Sequence, residues 1–104
     1  MIITTAHLST ANGSKYIAQL CKHFAHKVEV SWDDHHGYAE LPSGPAEFVT
    51  DAGGLSFRLE AADAKGIIQA RFTIDVHLAT FAHRENFLGL NWVVESAEHR
   101  LAPH

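Results

Sequence analysis

Histidine supplies most of the reactive chemistry that this sequence offers, since nine of its 104 residues are His. The first cluster is Cys21-x-His23-x-x-His26, whose residue types match zinc or iron ligands. In a helix the Cys21 side chain points away from the two imidazoles, so we expect it in the core as a small apolar residue. His23 and His26 lie three residues apart, but a structural zinc needs about four ligands. The pair by itself therefore falls short of a metal site.

A second cluster, Asp33-Asp34-His35-His36, also gathers residue types that bind metals. It runs directly into Gly37 and lies between two segments with strand-like alternation. Asp and Gly favour tight turns because Asp accepts hydrogen bonds from the nearby backbone and Gly adopts unusual dihedral angles. The cluster is predicted to form the turn of a hairpin.

A third group of residues is predicted to line one edge of each of two helices. His77, Phe81 and Arg84 recur at helical spacing beside the apolar stripe of the second helix, and His23 and Lys27 hold the equivalent edge of the first. If the helices lie side by side, these five residues form a cationic groove beside aromatic rings, which suits a carboxylate or a phosphate. We expect a site for a small anionic ligand here.

The same edge residues have a simpler interpretation. His77 and Arg84 would carry no ligand if they paired with Glu60, with Glu85 or with a helix C-terminus. Such pairs are common on protein surfaces and need no functional explanation. The sequence alone leaves this alternative open.

A metal site shared between the helices is the competing functional hypothesis. In this hypothesis His23 and His26 join His77 or His83 to hold zinc or iron. A closed set of ligands would be structural, whereas three imidazoles with one open position would be catalytic.

The pattern of apolar residues predicts the elements that position these side chains. Strands are indicated by period-two alternation and helices by apolar residues three and four apart. The predicted fold is α+β, a two-layer sandwich of order βαββββαβ with a mainly antiparallel sheet and both helices on one face. We expect one domain over residues 1–104, with a frayed tail from about residue 96. The predicted strands are 2–9, 28–32, 38–41, 46–50, 55–61 and 88–95, and the predicted helices are 15–27 and 64–83.

Composition argues against several classes of protein. The net charge of −4 lacks the basic excess of a general nucleic-acid binder, and no apolar run is long enough to cross a membrane. A lone cysteine and the lack of a signal-peptide pattern favour a cytoplasmic location. No glycine-rich phosphate loop or nucleophile elbow occurs, so we expect no cofactor and favour a protein that is not an enzyme.

Four stretches of the chain resemble a bacterial family known as domain of unknown function 2218. They are Thr10-Ala11-Asn12, Gln19 to Lys27, Leu59 to Asp63, and His77-Leu78 through Phe81-Ala82 to Arg84-Glu85 followed by Trp92. The resemblance covers about residues 8–93 and implies no particular activity. It implies a context of iron acquisition, because such domains occur alone or joined to siderophore-interacting flavin reductases. A reductase of that kind is therefore an expected partner.

The sequence thus predicts a small histidine-rich binding or accessory domain, and it also predicts how two copies would meet. The sheet face away from the helices is mixed in polarity, which suits a modest symmetric homodimer. A dimer that pairs two copies of His7 should weaken on acidification. The residues expected on that face are Ile3, Thr5, His7, Glu29, Ser31, Ser56, Arg58, Glu60, Asn91 and Val93.

Overall fold

The computed structural model describes residues 1–97, with side chains up to residue 95. Six strands and two helices follow the predicted order, and a short 3-10 turn follows the second helix. The strands are β1 (Ile2–Leu8), β2 (Val30–Trp32), β3 (His36–Leu41), β4 (Gly44–Asp51), β5 (Gly54–Ala61) and β6 (Val93–Ala97), the helices are α1 (Gly13–Phe24) and α2 (Ala64–Phe81), and the turn is His83–Glu85.

One six-stranded sheet holds the strands in the order β2-β3-β4-β5-β1-β6. Every neighbouring pair is antiparallel. β2 to β5 form a continuous meander, and β1 lies between β5 and β6. The predicted α+β class and element order are confirmed.

The core lies between one face of the sheet and the two helices. Leu55, Phe57 and Leu59 of β5 alternate inward and are almost completely buried. α1 packs on β3 and β4, while α2 packs on β5 and β1. The buried residues of the helices are Gly13, Tyr16, Ile17, Leu20, Cys21, Phe24, Ile67, Ala70, Ile74 and Leu78.

The first helix ends earlier than the sequence predicts, at Phe24 instead of Lys27. The carbonyl of Cys21 accepts the amide of Ala25, and the carbonyl of Phe24 accepts the amides of Lys27 and Val28. These bonds satisfy carbonyls at the helix end and turn the chain toward β2. Residues 25–27 therefore lie in a turn, and the α-helical spacing no longer governs where their side chains point.

The second strand of the predicted hairpin begins two residues earlier than the sequence indicates, at His36 instead of Tyr38. His36 and Gly37 belong to β3, and Gly37 is buried beneath α1. A Cβ atom at Gly37 would lie 2.7 Å from Ile17 Cγ2 and 2.8 Å from Phe48 Cδ2. Gly37 is therefore required by close packing between helix and sheet, and not by the turn.

The last strand is shifted toward the C-terminus relative to its predicted position. It covers Val93–Ala97, so Leu88 lies outside it and is 99% exposed. Residues 96 and 97, predicted to belong to the tail, pair with Ile3 and Ile2. The rest of the predicted tail, 98–104, lies outside the described residues.

The length and polarity of the helices also bear on membranes. Within residues 1–97, neither helix has the combination of length and apolar character that spanning a bilayer requires.

Candidate functional site

A groove opens where the end of α1 meets the middle of α2. It encloses about 530 Å³. Its lining combines cationic and imidazole side chains with an apolar floor. The lining residues are His23, Phe24, His26, Lys27, Val28, Leu41, Pro42, Thr73 and His77.

The imidazoles of His23 and His77 form the centre of this groove. Their ring centroids are 4.2 Å apart, so the two helices bring them into direct contact. The Phe24 ring meets the His77 ring edge-on, with their centroids 5.2 Å apart. The centroid of the Phe81 ring, four residues later in α2, lies 6.3 Å from that of His77. Aromatic contacts of this kind hold the imidazoles in place.

One tautomer of His77 follows from its hydrogen bond. His77 Nδ1 lies 2.6 Å from the Thr73 carbonyl oxygen, one helical turn earlier. Because a carbonyl oxygen only accepts, Nδ1 must carry the hydrogen and donate it. Nε2 of His77 is then the ring atom available to a ligand, as an acceptor when the ring is neutral and as a donor when it is protonated.

The electrostatic environment of His23 is positive. Partial desolvation lowers the pKa of His23, and the neighbouring His77, His26 and Lys27 lower it further. No Asp or Glu occurs among the nine lining residues of the groove. The lining of the groove therefore carries positive charge without a negative partner, which a bound anion would supply.

The floor of the groove is apolar, and it comes from three separate parts of the chain. Val28 follows the turn after α1, Leu41 ends β3, and Pro42 begins the connection to β4. Leu41 is buried, whereas Pro42 is exposed at the rim. A ligand that fits this surface carries an apolar body as well as a negative group.

The structure assembles the predicted five-residue groove only in part. His23, Lys27 and His77 line it, and Phe81 contacts His77 from the side. Arg84 lies elsewhere: it is exposed in the turn after α2, next to Glu85, which bonds Asn12 at the start of α1. The groove lies at the other end of α1, which has 12 residues and is therefore about 18 Å long.

The four histidines of the alternative metal hypothesis do not come together as one set of ligands in the part of the chain that the structure describes. His26 joins His23 at the groove because the helix has already ended. His83 follows α2, where its Nδ1 lies 3.0 Å from the Thr80 carbonyl oxygen, and it does not line the groove. Within residues 1–97, no group of three or more His, Cys, Asp or Glu side chains is arranged to hold a metal ion.

The paired-edge alternative named Glu60 and Glu85 as partners, and both carboxylates have other contacts. Glu60 accepts a hydrogen bond from Arg58 on its own strand. Glu85 accepts from the Tyr16 hydroxyl, from Asn12 Nδ2 at 3.1 Å and from Thr10 Oγ1 at 3.0 Å. Neither carboxylate pairs with His77 or Arg84 in the described contacts.

Cys21 of the first sequence cluster and Asp33 of the second have structural roles. Cys21 is fully buried, and burial raises the pKa of its thiol. Asp33 Oδ1 accepts the amides of His35 and His36, both at 2.8 Å, which lowers the pKa of Asp33 and closes the turn. The turn interpretation of the Asp-His cluster is therefore consistent with its hydrogen bonds.

Sequence reasoning missed most of the apolar side of the groove. Thr73 had a usable signal, since it lies one helical turn before His77 on the same face. Leu41 and Pro42 had none, because only the sheet topology brings the β3–β4 connection beside α2.

Comparisons with known proteins agree with the architecture. A family model described as an uncharacterized protein conserved in bacteria (DUF2218) matches residues 5–93. The NMR structure of PA4090 from Pseudomonas aeruginosa is similar over 95% of this chain and 100% of that chain, with 24% identity and a TM-score of 0.73. At that identity the likeness concerns the fold alone. A search of curated proteins finds no match.

Proposed function

The chain belongs to the DUF2218 family of bacterial proteins, and we propose that it binds a small organic anion in the groove between α1 and α2. The observation that carries the proposal is the charge around His23. Three cationic or titratable neighbours surround it, and no carboxylate lines the groove, although the whole chain has a net charge of −4. A bound anion would relieve this local excess.

The apolar floor narrows the ligand class. A compact, strongly hydrated anion such as phosphate gains nothing from Val28, Leu41 and Pro42. An aromatic or branched carboxylate places its charged end near His23, His77 and Lys27 and its body on the floor. We therefore propose an amphipathic carboxylate or a similar organic acid as the ligand.

The proposal is for binding without turnover. Of the nucleophilic side chains near the groove, the Thr73 hydroxyl donates to the Gln69 carbonyl at 2.9 Å, and the Cys21 thiol is buried in the core. Neither is activated by a neighbouring base. A link to iron acquisition, with a siderophore-interacting reductase as partner, remains part of the proposal and rests on the family resemblance alone.

Calorimetric titration with benzoate, salicylate, 2,3-dihydroxybenzoate, citrate and inorganic phosphate tests the proposal. We expect the three aromatic acids to bind more tightly than phosphate. His77→Ala and Lys27→Ala should each weaken binding by about tenfold, the loss of one charge-assisted contact. Lys22→Ala serves as the control, because Lys22 is an exposed helix residue that does not line the groove.

The pH dependence supplies a second arm of the test. Because the pKa of His23 is lowered, this ring is neutral near pH 7 and gains a proton on acidification. Affinity for a carboxylate should therefore rise as the pH falls below 6.5, and His23→Ala should flatten the rise. The proposed function would be refuted if none of the acids bound, or if the affinities were the same in the wild type and in His23→Ala, Lys27→Ala and His77→Ala.

A further inference from the structure

A smaller cavity, named here the recess, adjoins the groove between α1 and α2. It encloses about 270 Å³ beside Phe72. It shares Leu41, Pro42 and Thr73 with the lining of the groove, so the two cavities meet at these residues. Among the described residues, those that line the recess carry no charge; they are Leu41, Pro42, Ser43, Gln69, Phe72 and Thr73. The groove thus continues from its cationic part into an uncharged part.

A single row of side chains on α2 forms one wall of both cavities. Gln69, Thr73 and His77 are each four residues apart, so they lie on one face of the helix. Each step of four residues rises about 6 Å, so the row spans about 12 Å. Pro42 and Ser43, between β3 and β4, form part of the opposite wall. Groove and recess together form one elongated site, named here the trough.

The junction between the groove and the recess suits an apolar chain. Leu41 is buried there and Pro42 is exposed at the rim. The Thr73 hydroxyl donates to the Gln69 carbonyl at 2.9 Å, and the Thr73 carbonyl accepts from His77 Nδ1 at 2.6 Å. An apolar ligand that crosses Thr73 therefore leaves neither of these polar groups without a partner.

An aromatic ring at the edge of the recess has apolar surface to offer a ligand. Phe72 lines the recess and is 68% exposed. An apolar tail that lies against this ring removes surface of both groups from water, which favours binding. A compact acid held in the groove does not reach the ring and leaves the recess to water.

We propose that the trough binds an extended aliphatic carboxylate, of which a medium-chain fatty acid is the simplest example. This inference rests on the proposed function, because the carboxylate lies in the groove beside His23, Lys27 and His77. The tail crosses Thr73 and ends against Phe72. Charge determines the direction, since the cationic and imidazole side chains line the groove and the recess has an uncharged lining.

An aliphatic tail fits the junction better than an extended peptide does. A peptide brings an amide and a carbonyl at every residue, and each of these groups loses water when it is covered. The Thr73 hydroxyl and carbonyl are already bonded within α2, so they do not replace that water. An alkyl chain has no such requirement.

Calorimetric titration with butyrate, hexanoate, octanoate and decanoate, each below its micellar concentration, tests the length of the site. We expect the affinity to rise by up to about fourfold for each added methylene group, because each group buries further apolar surface. The rise should stop once the tail has passed Phe72. Octanol, which has the same tail as octanoate and no carboxylate, should bind about tenfold more weakly than octanoate.

Variants of α2 separate the tail from the charged end. Phe72→Ala should weaken the binding of decanoate about fivefold and leave that of butyrate unchanged. Ile68→Ala is the matched control, since Ile68 is 61% exposed on the same helix and lines neither cavity; it should bind every acid like the wild type. Gln69→Trp, at an exposed position, should fill the recess and remove the advantage of the longer acids. His77→Ala should weaken all four acids alike, by about tenfold.

The results distinguish this inference from the proposed function on which it rests. Equal affinities for butyrate and decanoate, or an equal effect of Phe72→Ala on both, would overturn the extended site and leave anion binding in the groove standing. Octanol that bound as tightly as octanoate, together with no effect of His77→Ala, would overturn both. A wild type that self-associates through Phe72 and binds acids of every length alike would overturn the extended site and assign the recess to a second copy.

Discussion

The Tyr16 hydroxyl donates a hydrogen bond to the Glu85 carboxylate and joins the first turn of α1 to the 3-10 turn after α2. Tyr16 is only 3% exposed, so its ring is part of the core while its hydroxyl reaches the surface. Asn12 and Thr10 donate to the same carboxylate from the loop before α1. Glu85 thus fixes the relative positions of the two helices at the end opposite the groove.

A double-mutant cycle measures this connection. Tyr16→Phe keeps the buried ring and removes the hydroxyl, so we expect a loss of about 1–2 kcal/mol in the free energy of unfolding. Glu85→Gln should cost a similar amount because it removes the charge from three hydrogen bonds. Urea denaturation of the single and double variants should give a coupling of at least about 0.5 kcal/mol. Strict additivity would show that the two groups act independently.

Acid should weaken the same connection. Hydrogen bonds from Tyr16, Asn12 and Thr10 lower the pKa of Glu85 below its usual value of 4.5. The carboxylate therefore contributes stability that is complete above pH 4.5 and is lost as the pH falls through the lowered pKa. The difference in unfolding free energy between wild type and Glu85→Gln should shrink over that interval. Glu29→Gln, which removes one negative charge without touching this contact, is the control.

Alkali should act on the other partner. Burial and the Glu85 carboxylate raise the pKa of Tyr16 from 10.0 to about 12. Because the pKa is raised in the folded state, Tyr16 contributes stability that is complete below pH 10. This contribution is lost as the pH rises toward 12. Ultraviolet titration of the two phenols should show a late phenolate transition that disappears in Tyr16→Phe. The remaining transition belongs to Tyr38, the only other tyrosine.

At Gly37 a single added methyl group should disturb the packing of α1 on the sheet. Its Cβ would meet Ile17 and Phe48 side-chain atoms at less than 3 Å, so Gly37→Ala must displace α1 or the sheet. We expect a loss of about 1–3 kcal/mol, as for other over-packed cores. Gly53→Ala is the matched control, since its Cβ would meet only Asp51 Oδ1 at 3.3 Å. Equal stability of the two variants would contradict the packing argument.

Asp75 should control the segment that leads into β6. Its two carboxylate oxygens accept the Leu90 amide and the Trp92 indole N–H, each at 3.1 Å. Asp75→Ala removes both acceptors, so we expect a loss of about 1–3 kcal/mol and faster hydrogen exchange at the Leu90 amide. Asp34→Ala, at an exposed turn residue, should change neither measurement. Unchanged exchange at Leu90 would show that other contacts hold the segment.

The order and type of the elements could be predicted from the sequence because alternation and helical spacing report which side of each element is buried. Leu55, Phe57 and Leu59 illustrate this, since their period of two places all three in the core. The residues at which the helices and strands begin and end were harder to predict. The end of α1 at Phe24 depends on backbone hydrogen bonds that no side-chain pattern announces, and it changes where His26 and Lys27 point.

The part of the candidate site that lies along helix edges could be predicted from the sequence. The part that depends on how distant segments of the chain meet could not. His23 and His77 meet because each holds the expected edge of its helix. Arg84 was assigned to the same edge by continuing the helical spacing past residue 83, but α2 ends at Phe81 and Arg84 lies in the turn that follows. The role of Glu85 depends on a contact with Tyr16, 69 residues earlier, which local patterns do not reveal.

The position of β1 between β5 and β6 also determines how the chain can fold. β2 to β5 pair with sequence neighbours, so this meander needs only short loops to close. β1 has no such neighbour: Ile2 pairs with Ala61, and Thr5 pairs with both Arg58 and Val93. Its pairing closes loops that include most of the molecule, and contacts of this kind slow folding. The first strand along the chain can thus join the sheet only through partners that come much later in the sequence.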